Sequence, residues 1–474
     1  MGRRFAFALF LSLFLASAPA YSAQAPAAQH WVVVSDVHFD PFADPHVAEH
    51  LIAEPVDRWR EIFAAAKDAP FSEYGSDTND ALFESALEAM HSTVPDASVV
   101  IVSGDFLAHH FREKFDRIAK VHDDASFDAF VDKTEAFLAI EFREAFPRAQ
   151  LLPVIGNNDN YCGDYESEPN GPFLAHMASD WAPAVSSDAA GWTSQFSTGG
   201  YYSVKLPAGG AQAIVLNDIF WSAYYQNACG NAHADPGGEE LNWFSAALKS
   251  AGSTPVWVIA HIPPGVDTFA TLRRKDGQVQ MFLADRFNAA FVSALTSPPP
   301  NVVMAIAGHT HMDGFRILGP NSAAPVTPML IVPSVSPIFG NNPSFTVLDV
   351  DPATAQVADR LVYTLRGTNW RREYDFDSDF GPGNIGVAHL DAEQTAIFND
   401  ERIRRRFESI AGTGSAHAPP LDAVWRAYWC ADVALTATDY LACASPQVQT
   451  QLPPHPSAPP TSTPTPTPSP SPTP

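Results

Sequence analysis

The feature that most constrains the fold of this chain is a set of five short apolar runs, each followed within three residues by aspartate, histidine or asparagine. Each run has the length of a buried β-strand. The runs lead into Ser35-Asp36-Val37-His38, Ser103-Gly104-Asp105, Gly156-Asn157-Asn158-Asp159, His261-Ile262-Pro263-Pro264-Gly265 and Gly308-His309-Thr310-His311. Because ligands bind outside the strand ends of such sheets, these polar side chains are predicted to meet at one edge.

The polar residues after these runs predict a metal site. Singly, an aspartate there can cap the next helix, and an asparagine after glycine favours a turn. Together they supply nitrogen and oxygen donors for two coordination shells without a thiolate, which suits two zinc ions, with iron or manganese as alternatives. Two such cations would neutralise a phosphoester and acidify a bridging water. The predicted metal ligands are Asp36, His38, Asp105, Asn157, His261, His309 and His311.

The apolar runs alternate with helical patterns from Trp31 to about Leu365, which predicts an α/β, layered (α+β) architecture. The chain has 474 residues, 46% of them hydrophobic, enough for one large or two modest domains. Residues 451–474 consist largely of Pro, Ser and Thr and are predicted to form a disordered tail.

The N-terminus predicts export. Arg3 and Arg4 precede an apolar run to Leu15 and then small residues, the pattern of a signal peptide over residues 1–23, cleaved after Ala20 or Ala23. Its apolar core is short for a membrane span, and no later run reaches about 18 apolar residues, so no stable membrane insertion is expected. The sequence therefore predicts a secreted or periplasmic protein.

Charge and cysteine content bear on the partners and the compartment. The chain has 28 basic against 53 acidic residues, a formal charge of −25, which argues against nucleic acid as a partner. Four cysteines fit an exported protein with disulfides. Cys430 and Cys443 lie close together in a helical stretch and are predicted to pair, leaving Cys162 with Cys229. Four free thiols are the alternative.

The ordered motifs Asp-x-His, Gly-Asp, Gly-Asn-x-Asp, His and Gly-His-x-His resemble those of the calcineurin-like metallophosphoesterases. This resemblance implies a two-sheet β-sandwich flanked by helices, with a hydroxide that bridges two metals attacking phosphorus. It also implies that Asp105 lies between the metals. The resemblance assigns the other ligands as Asp36, His38 and His311 on one metal, and Asn157, His261 and His309 on the other.

Within this superfamily, residues 29–450 are similar to the acid sphingomyelinase-like phosphodiesterases. Three segments carry the similarity, namely Gly104–His109 as Gly-Asp-x-x-x-His, His261–Gly265 as His-x-Pro-Pro-Gly, and Pro333–Pro337 with Asn342–Pro343. The similarity implies a catalytic domain over residues 29–365 and a small C-terminal helical module over residues 366–450. The expected substrate is a small phosphodiester or a nucleotide-type phosphoanhydride.

Asn158 departs from the superfamily, most of which has at this position a histidine that protonates the leaving group. An amide has no useful proton to donate. Either His109 is the acid, or the leaving group needs little help, as a phosphate would. Endopolyphosphatases resemble this group and also read Gly-Asn-Asn-Asp, so polyphosphate cleavage is one alternative, with Arg273-Arg274-Lys275 as the basic cluster placed to attract the polyanion.

Two further alternatives use the same scaffold: a phosphomonoesterase with the same metals, and a non-catalytic metal-binding protein. Aromatic residues after the third run are candidates for the wall of a substrate cleft or for the core. They are Trp192, Tyr201, Tyr202, Trp221, Tyr224 and Tyr225.

Overall fold

A computed structural model describes residues 27–66, 69–230, 235–296, 301–319 and 326–444. The predicted signal peptide and the predicted tail lie outside these residues. Among the helices of the described residues, none combines the length and apolar character that a membrane crossing needs.

The strands and helices alternate along the described residues. The strands are β1 (Gln29–Val34), β2 (Val99–Val102), β3 (Gln150–Pro153), β4 (Tyr202–Lys205), β5 (Gln212–Val215), β6 (Val256–Ile259), β7 (Val302–Ala307), β8 (Gly314–Leu318), β9 (Thr327–Ile331), β10 (Ser344–Val350), β11 (Val357–Arg366) and β12 (Asn369–Asp375). The helices are α1 (Pro45–Ala53), α2 (Trp59–Ala65), α3 (Asp80–Thr93), α4 (Phe111–Ile118), α5 (Asp124–Ala145), α6 (Pro172–Val185), α7 (Ala189–Gly199), α8 (Pro236–Ala251), α9 (Thr268–Arg273), α10 (Asp285–Thr296), α11 (Phe376–Phe380), α12 (Val387–Asn399), α13 (Glu401–Ala411), α14 (Trp425–Ala431) and α15 (Ala437–Ala444).

The strands form two six-stranded mixed sheets, in the orders β12-β11-β10-β1-β2-β3 and β4-β5-β6-β7-β9-β8. In the first sheet β1, β2 and β3 are parallel, and in the second β5, β6, β7 and β9 are parallel. Buried on both faces, these central strands are continuous apolar runs rather than alternating ones. The predicted layered α/β fold with two sheets flanked by helices is confirmed.

The two sheets contact each other both inside the sandwich and at the strand ends that carry the predicted ligands. Trp31 in β1 packs on Trp257 in β6, with ring centroids 4.6 Å apart. Ser103, directly after β2, donates a hydrogen bond from Oγ to the carbonyl oxygen of Ala260, directly after β6, at 2.9 Å. The ends of the parallel strands from both sheets therefore meet at one place.

The C-terminal part continues the first sheet before it becomes helical. β12 lies beyond residue 365, the predicted end of the catalytic domain, and pairs antiparallel with β11. Helices α11 to α15 follow it. Both predicted disulfides are present, Cys162–Cys229 and Cys430–Cys443, so the cysteine prediction is confirmed.

Candidate metal centre

All seven predicted metal ligands lie directly after strands and converge in the structure. Asp36 and His38 follow β1, Asp105 follows β2, Asn157 follows β3, His261 follows β6, and His309 and His311 follow β7. Five of the seven have a positive φ, a region that costs energy for residues other than glycine and is concentrated at functional sites. They are Asp36 (50°), His38 (44°), Asp105 (56°), His309 (67°) and His311 (58°).

Two glycines of these motifs leave no room for a side chain. A Cβ on Gly156 would lie 2.0 Å from the backbone nitrogen of Asp105, and a Cβ on Gly308 would lie 1.8 Å from Oγ of Ser35. Any side chain at either position would push apart the loops that bring the ligands together. The motifs therefore need glycine for close approach.

Asp105 lies between two groups of nitrogen and oxygen donors. Its Oδ2 is 3.3 Å from Nε2 of His38 and 3.3 Å from Nε2 of His261. On one side, Nε2 of His311 lies 3.2 Å from Nε2 of His38 and 3.3 Å from Oδ1 of Asp36. Asp36, His38 and His311 therefore form one candidate metal subsite next to Asp105.

The second candidate subsite surrounds His261. Its Nε2 lies 3.1 Å from Oδ1 of Asn157 and 3.3 Å from Nδ1 of His309. Each of the two subsites thus collects three side chains of its own and shares the carboxylate of Asp105.

The orientation of the imidazoles fits metal binding. Nδ1 of His38 donates to the carbonyl oxygen of Leu107 at 2.9 Å, and Nδ1 of His261 donates to that of Ser103 at 2.7 Å. Each Nε2 therefore presents a lone pair to the cluster, the second-sphere arrangement usual for metal-bound histidine. Nitrogen and oxygen acceptors 3.1–3.3 Å apart need a proton or a metal cation between them.

The electrostatics of the cluster indicate the same need for positive charge. Burial lowers the pKa of His38 to about 4 and that of His309 to about 3, so both are neutral, the form that binds a metal. Burial also raises the pKa of Asp36 to about 7, and its Oδ1 makes no hydrogen bond to any described residue. At His261 burial lowers the pKa, but the charge and hydrogen bond of Asp105 outweigh it and raise the pKa to about 10. The donors fit a pair of divalent cations.

Two buried aspartates that were not predicted as site residues hold the ligand loops in place. Asp159 accepts hydrogen bonds from the backbone of Phe106, Leu107 and Gly156, and so joins the loops of Asp105 and Asn157. Asp218 accepts from the backbone of His261. Asp159 belongs to the Gly-Asn-Asn-Asp motif, which the sequence analysis interprets as a turn, so its structural role was not predicted. No pattern in the sequence singled out Asp218.

His109, the predicted acid, lies beside the first subsite. Its ring stacks on that of His38 with centroids 4.0 Å apart, and its Nδ1 hydrogen-bonds to Oδ1 of Asp77 at 2.8 Å. Lys114 in turn donates to Oδ2 of Asp77 at 2.7 Å. Burial lowers the pKa of His109, but the hydrogen bond and charge of Asp77 outweigh burial and raise it. Asp77 was missed, because it lies in a loop with no motif.

Asn158, the departure from the superfamily pattern, contacts the central carboxylate. Its backbone N–H donates to Oδ1 of Asp105 at 2.9 Å, and its side-chain Nδ2 donates to Oδ2 at 3.1 Å. The amide therefore orients Asp105, a task for which it needs no transferable proton.

A cavity of about 370 Å³ opens beside the cluster and continues towards the C-terminal helices. Asp105, His109, Asn157, His309 and His311 form part of its wall. Its aromatic lining consists of Tyr165, Phe269, Phe282, Phe339, Phe407 and Tyr428.

The aromatic residues proposed from sequence divide between core and cleft. Trp192, Tyr202 and Trp221 are fully enclosed in the core, so a place in the cleft wall is wrong for these three. Tyr224 is 40% exposed, and its ring lies 5.1 Å from that of Tyr165 in the cavity wall. The sequence pattern could not separate the two groups, because aromatic residues serve both roles.

Comparison with known proteins places these observations in a family. The profile of the family "calcineurin-like phosphoesterase" matches residues 31–313, the segment that carries all seven side chains of the cluster. Acid sphingomyelinase-like phosphodiesterase 3b of Mus musculus is 25% identical over 437 residues, 86% of this chain and 88% of that protein. Sphingomyelinase phosphodiesterase D of Dictyostelium discoideum is 25% identical over 358 residues, 72% of this chain and 75% of that protein. A cyclic GMP-AMP phosphodiesterase of Rattus norvegicus is 24% identical over 427 residues, 85% of this chain and 88% of that protein.

Proposed function

The chain belongs to the calcineurin-like phosphoesterase family and is a metal-dependent phosphodiesterase, and we propose that it hydrolyses small phosphodiesters at the two subsites around Asp105. The observation that carries this proposal is the convergence of buried donors on both sides of one carboxylate, 3.3 Å from each side. A single carboxylate shared by two such groups is what a phosphoester hydrolase with two metals requires.

In this proposal Asp36, His38 and His311 hold one divalent ion, and Asn157, His261 and His309 hold the other. Asp105 would serve both subsites. The mixed nitrogen and oxygen donors favour zinc, with iron and manganese as alternatives. When bound, the two ions neutralise the oxygens of the phosphate and activate water for attack.

Three residues of this chain contribute to the proposed reaction. His109 donates a proton to the leaving oxygen, and Asp77 holds the imidazole in the required orientation from its Nδ1 side. Asn158 keeps the two oxygens of Asp105 in place through its hydrogen bonds. This division of tasks gives the amide at position 158 a role without requiring it to be an acid.

The contacts of the basic cluster favour a diester over polyphosphate as the substrate. Arg273 lies over the ring of Phe269, 3.7 Å from its centroid. Arg274 forms a two-pronged ion pair with Asp276, at 3.0 and 2.6 Å. Asp276 therefore neutralises one of the three basic charges, which weakens the attraction of the cluster for a long polyanion.

Export is part of the proposal. The N-terminal pattern over residues 1–23 and the disulfides Cys162–Cys229 and Cys430–Cys443 support a secreted or periplasmic location, because disulfides persist in oxidising compartments. A comparison of the N-terminus of the mature protein with the encoded one tests this directly.

The proposed reaction is tested with a panel of substrates and the signal-free protein purified with zinc. The panel contains bis-(4-nitrophenyl) phosphate, 4-nitrophenyl phosphate, ATP, long-chain polyphosphate, sphingomyelin and cyclic GMP-AMP, the last two because the names of relatives include them. We expect bis-(4-nitrophenyl) phosphate to be cleaved faster than 4-nitrophenyl phosphate. Shortening of polyphosphate chains with little diester cleavage would instead support an endopolyphosphatase.

A further inference from the structure

The carboxylates of the cavity wall differ in whether they form an ion pair with arginine. Among the described residues that line the cavity, Arg316 is the one with a guanidinium or ammonium group, and it donates to Asp432 at 3.1 Å. Asp313, also in the wall, pairs with Arg360 at 2.8 Å. The carboxylates of Asp164 and Asp267, which also line the cavity, have no such ion pair in the described part of the chain.

Asp267 is held in the cavity wall by hydrogen bonds to the backbone. Its Oδ1 caps helix α9 by accepting from the backbone of Ala270 at 2.8 Å, and its own N–H donates to the carbonyl oxygen of Gln280 at 2.9 Å. Two residues further on, Phe282 packs edge-on against the ring of His309, with centroids 5.6 Å apart. The segment 280–282 therefore connects the position of Asp267 to a ligand of the second subsite.

The same segment positions the tyrosines beside Asp267. The backbone N–H of Ala223 donates to the carbonyl oxygen of Phe282 at 2.9 Å, which places Tyr224 next to it. The ring of Tyr224 lies 5.1 Å from that of Tyr165, whose hydroxyl is 3.4 Å from Nε2 of His309. Burial raises the pKa of Tyr224, and so does the nearby charge of Asp267. A surface of aromatic rings and a carboxylate thus extends from His309 towards solvent.

We propose that Asp267, Tyr165 and Tyr224 form a substituent subsite that selects phosphodiesters whose second substituent carries no additional phosphate. The rings offer apolar contact to a neutral or cationic group, while the carboxylate repels a further anion. This inference rests on the proposed phosphodiesterase function and narrows its substrates. In this proposal the charge of Asp267 disfavours phosphoanhydrides and polyphosphates relative to phosphodiesters without a further phosphate.

The test uses two substrates that share the scissile bond and the leaving group. They are thymidine 5′-(4-nitrophenyl phosphate) and the same compound with a 3′-phosphate. For the zinc-loaded protein we expect kcat/KM to be at least about fivefold lower for the phosphorylated compound, from repulsion between unit charges near the protein surface. Most of the difference should lie in KM. The ratio should shrink as salt is added, because ions screen the repulsion.

Asp267→Asn tests the residue itself. Asparagine caps a helix about as well as aspartate, so α9 should stay intact while the charge is lost. Burial raises the pKa of Asp267 to about 6, although the nearby charges of Arg316 and Arg273 lower it. The assay is therefore run about two pH units higher, where the carboxylate is ionised. We expect the variant to bring the kcat/KM values of the two substrates at least about threefold closer together. Tyr224→Ala should raise KM for both compounds alike, because it removes ring surface but no charge.

Asp285→Asn is the matched control, since Asp285 is exposed, loses the same charge and does not line the cavity. The control should leave the ratio unchanged. Equal kcat/KM on both compounds in the wild type, or the same change of ratio in the variant and its control, would overturn the proposed selectivity while leaving the phosphodiesterase function standing. Hydrolysis of neither compound would overturn the proposed function, and the selectivity with it.

Discussion

Replacing Asp105 by asparagine should remove both metals and the activity together. Oδ2 of Asp105 lies 3.3 Å from a histidine of each subsite, and the two oxygens of this carboxylate are already oriented by Asn158. Asparagine keeps the size but removes the negative charge that both subsites share. The NH₂ group of the new asparagine could also face the NH₂ group of Asn158, which donates to this carboxylate in the wild type.

The expected loss can be bounded from the position of Asp105. Removing an outer-sphere partner of a metal ligand costs about 10–100-fold in affinity or activity. Asp105 is a candidate ligand of both subsites, so we expect the loss to apply twice. The expected fall in kcat/KM is then about 10²–10⁴-fold, equivalent to about 3–5 kcal/mol of transition-state stabilisation. Zinc at about 100 times its Kd should stabilise the wild type by about 2.7 kcal/mol and the variant by much less.

The assay combines metal content with thermal melting in the presence and absence of zinc. Asp432→Asn is the control, because Asp432 is also a buried carboxylate of the cavity wall but pairs with Arg316, away from the cluster. The control should melt at a lower temperature yet keep its response to zinc. Full activity of Asp105→Asn with both metals retained would refute the bridging role.

Three other predictions follow from particular contacts. His109→Gln should lower kcat by about 10²–10⁴-fold on alkoxide leaving groups and much less on 4-nitrophenoxide, measured with matched esters; equal losses would exclude His109 as the acid. Asn158→His should raise the rate on alkoxide leaving groups more than on nitrophenyl esters; equal effects would mean that position 158 is not at the acid site. Glu135 is buried with neither carboxyl oxygen bonded to a described residue, and burial raises its pKa well above the usual value. The unfolded chain releases this proton above about pH 4.5 whereas the folded protein retains it, so stability falls as pH rises; Glu135→Met should therefore gain about 1–3 kcal/mol at neutral pH, measured by denaturant unfolding, and less near pH 4, and a constant gain across this range would contradict the assignment.

The strand ends could be predicted from the sequence because the apolar runs and the residues after them are local patterns. Asp36 and His311 are 275 positions apart, yet parallel strands bring their ends to one edge whatever the length between them. That these side chains meet was therefore predictable. Their role as ligands stays a prediction until metal is measured.

Contacts between loops could not be predicted in the same way. Asp77 reaches His109 across 32 positions, and Asp267 reaches the tyrosines through the backbone of segment 280–282. Neither residue belongs to a periodic pattern or a motif. Tertiary packing determines which residue each of them contacts, so the local sequence gives no signal. The sequence did not predict β12, because only one of its seven residues is buried and most of them are polar.

The measurement that tests the central claim most directly is a metal titration of the chelator-treated protein, followed by hydrolysis of bis-(4-nitrophenyl) phosphate at each addition. We predict no activity without metal, and a rise that saturates when two zinc ions are bound per chain, because both subsites share Asp105. Activity in the metal-free protein, or saturation with metal and no hydrolysis of any diester, would contradict the account.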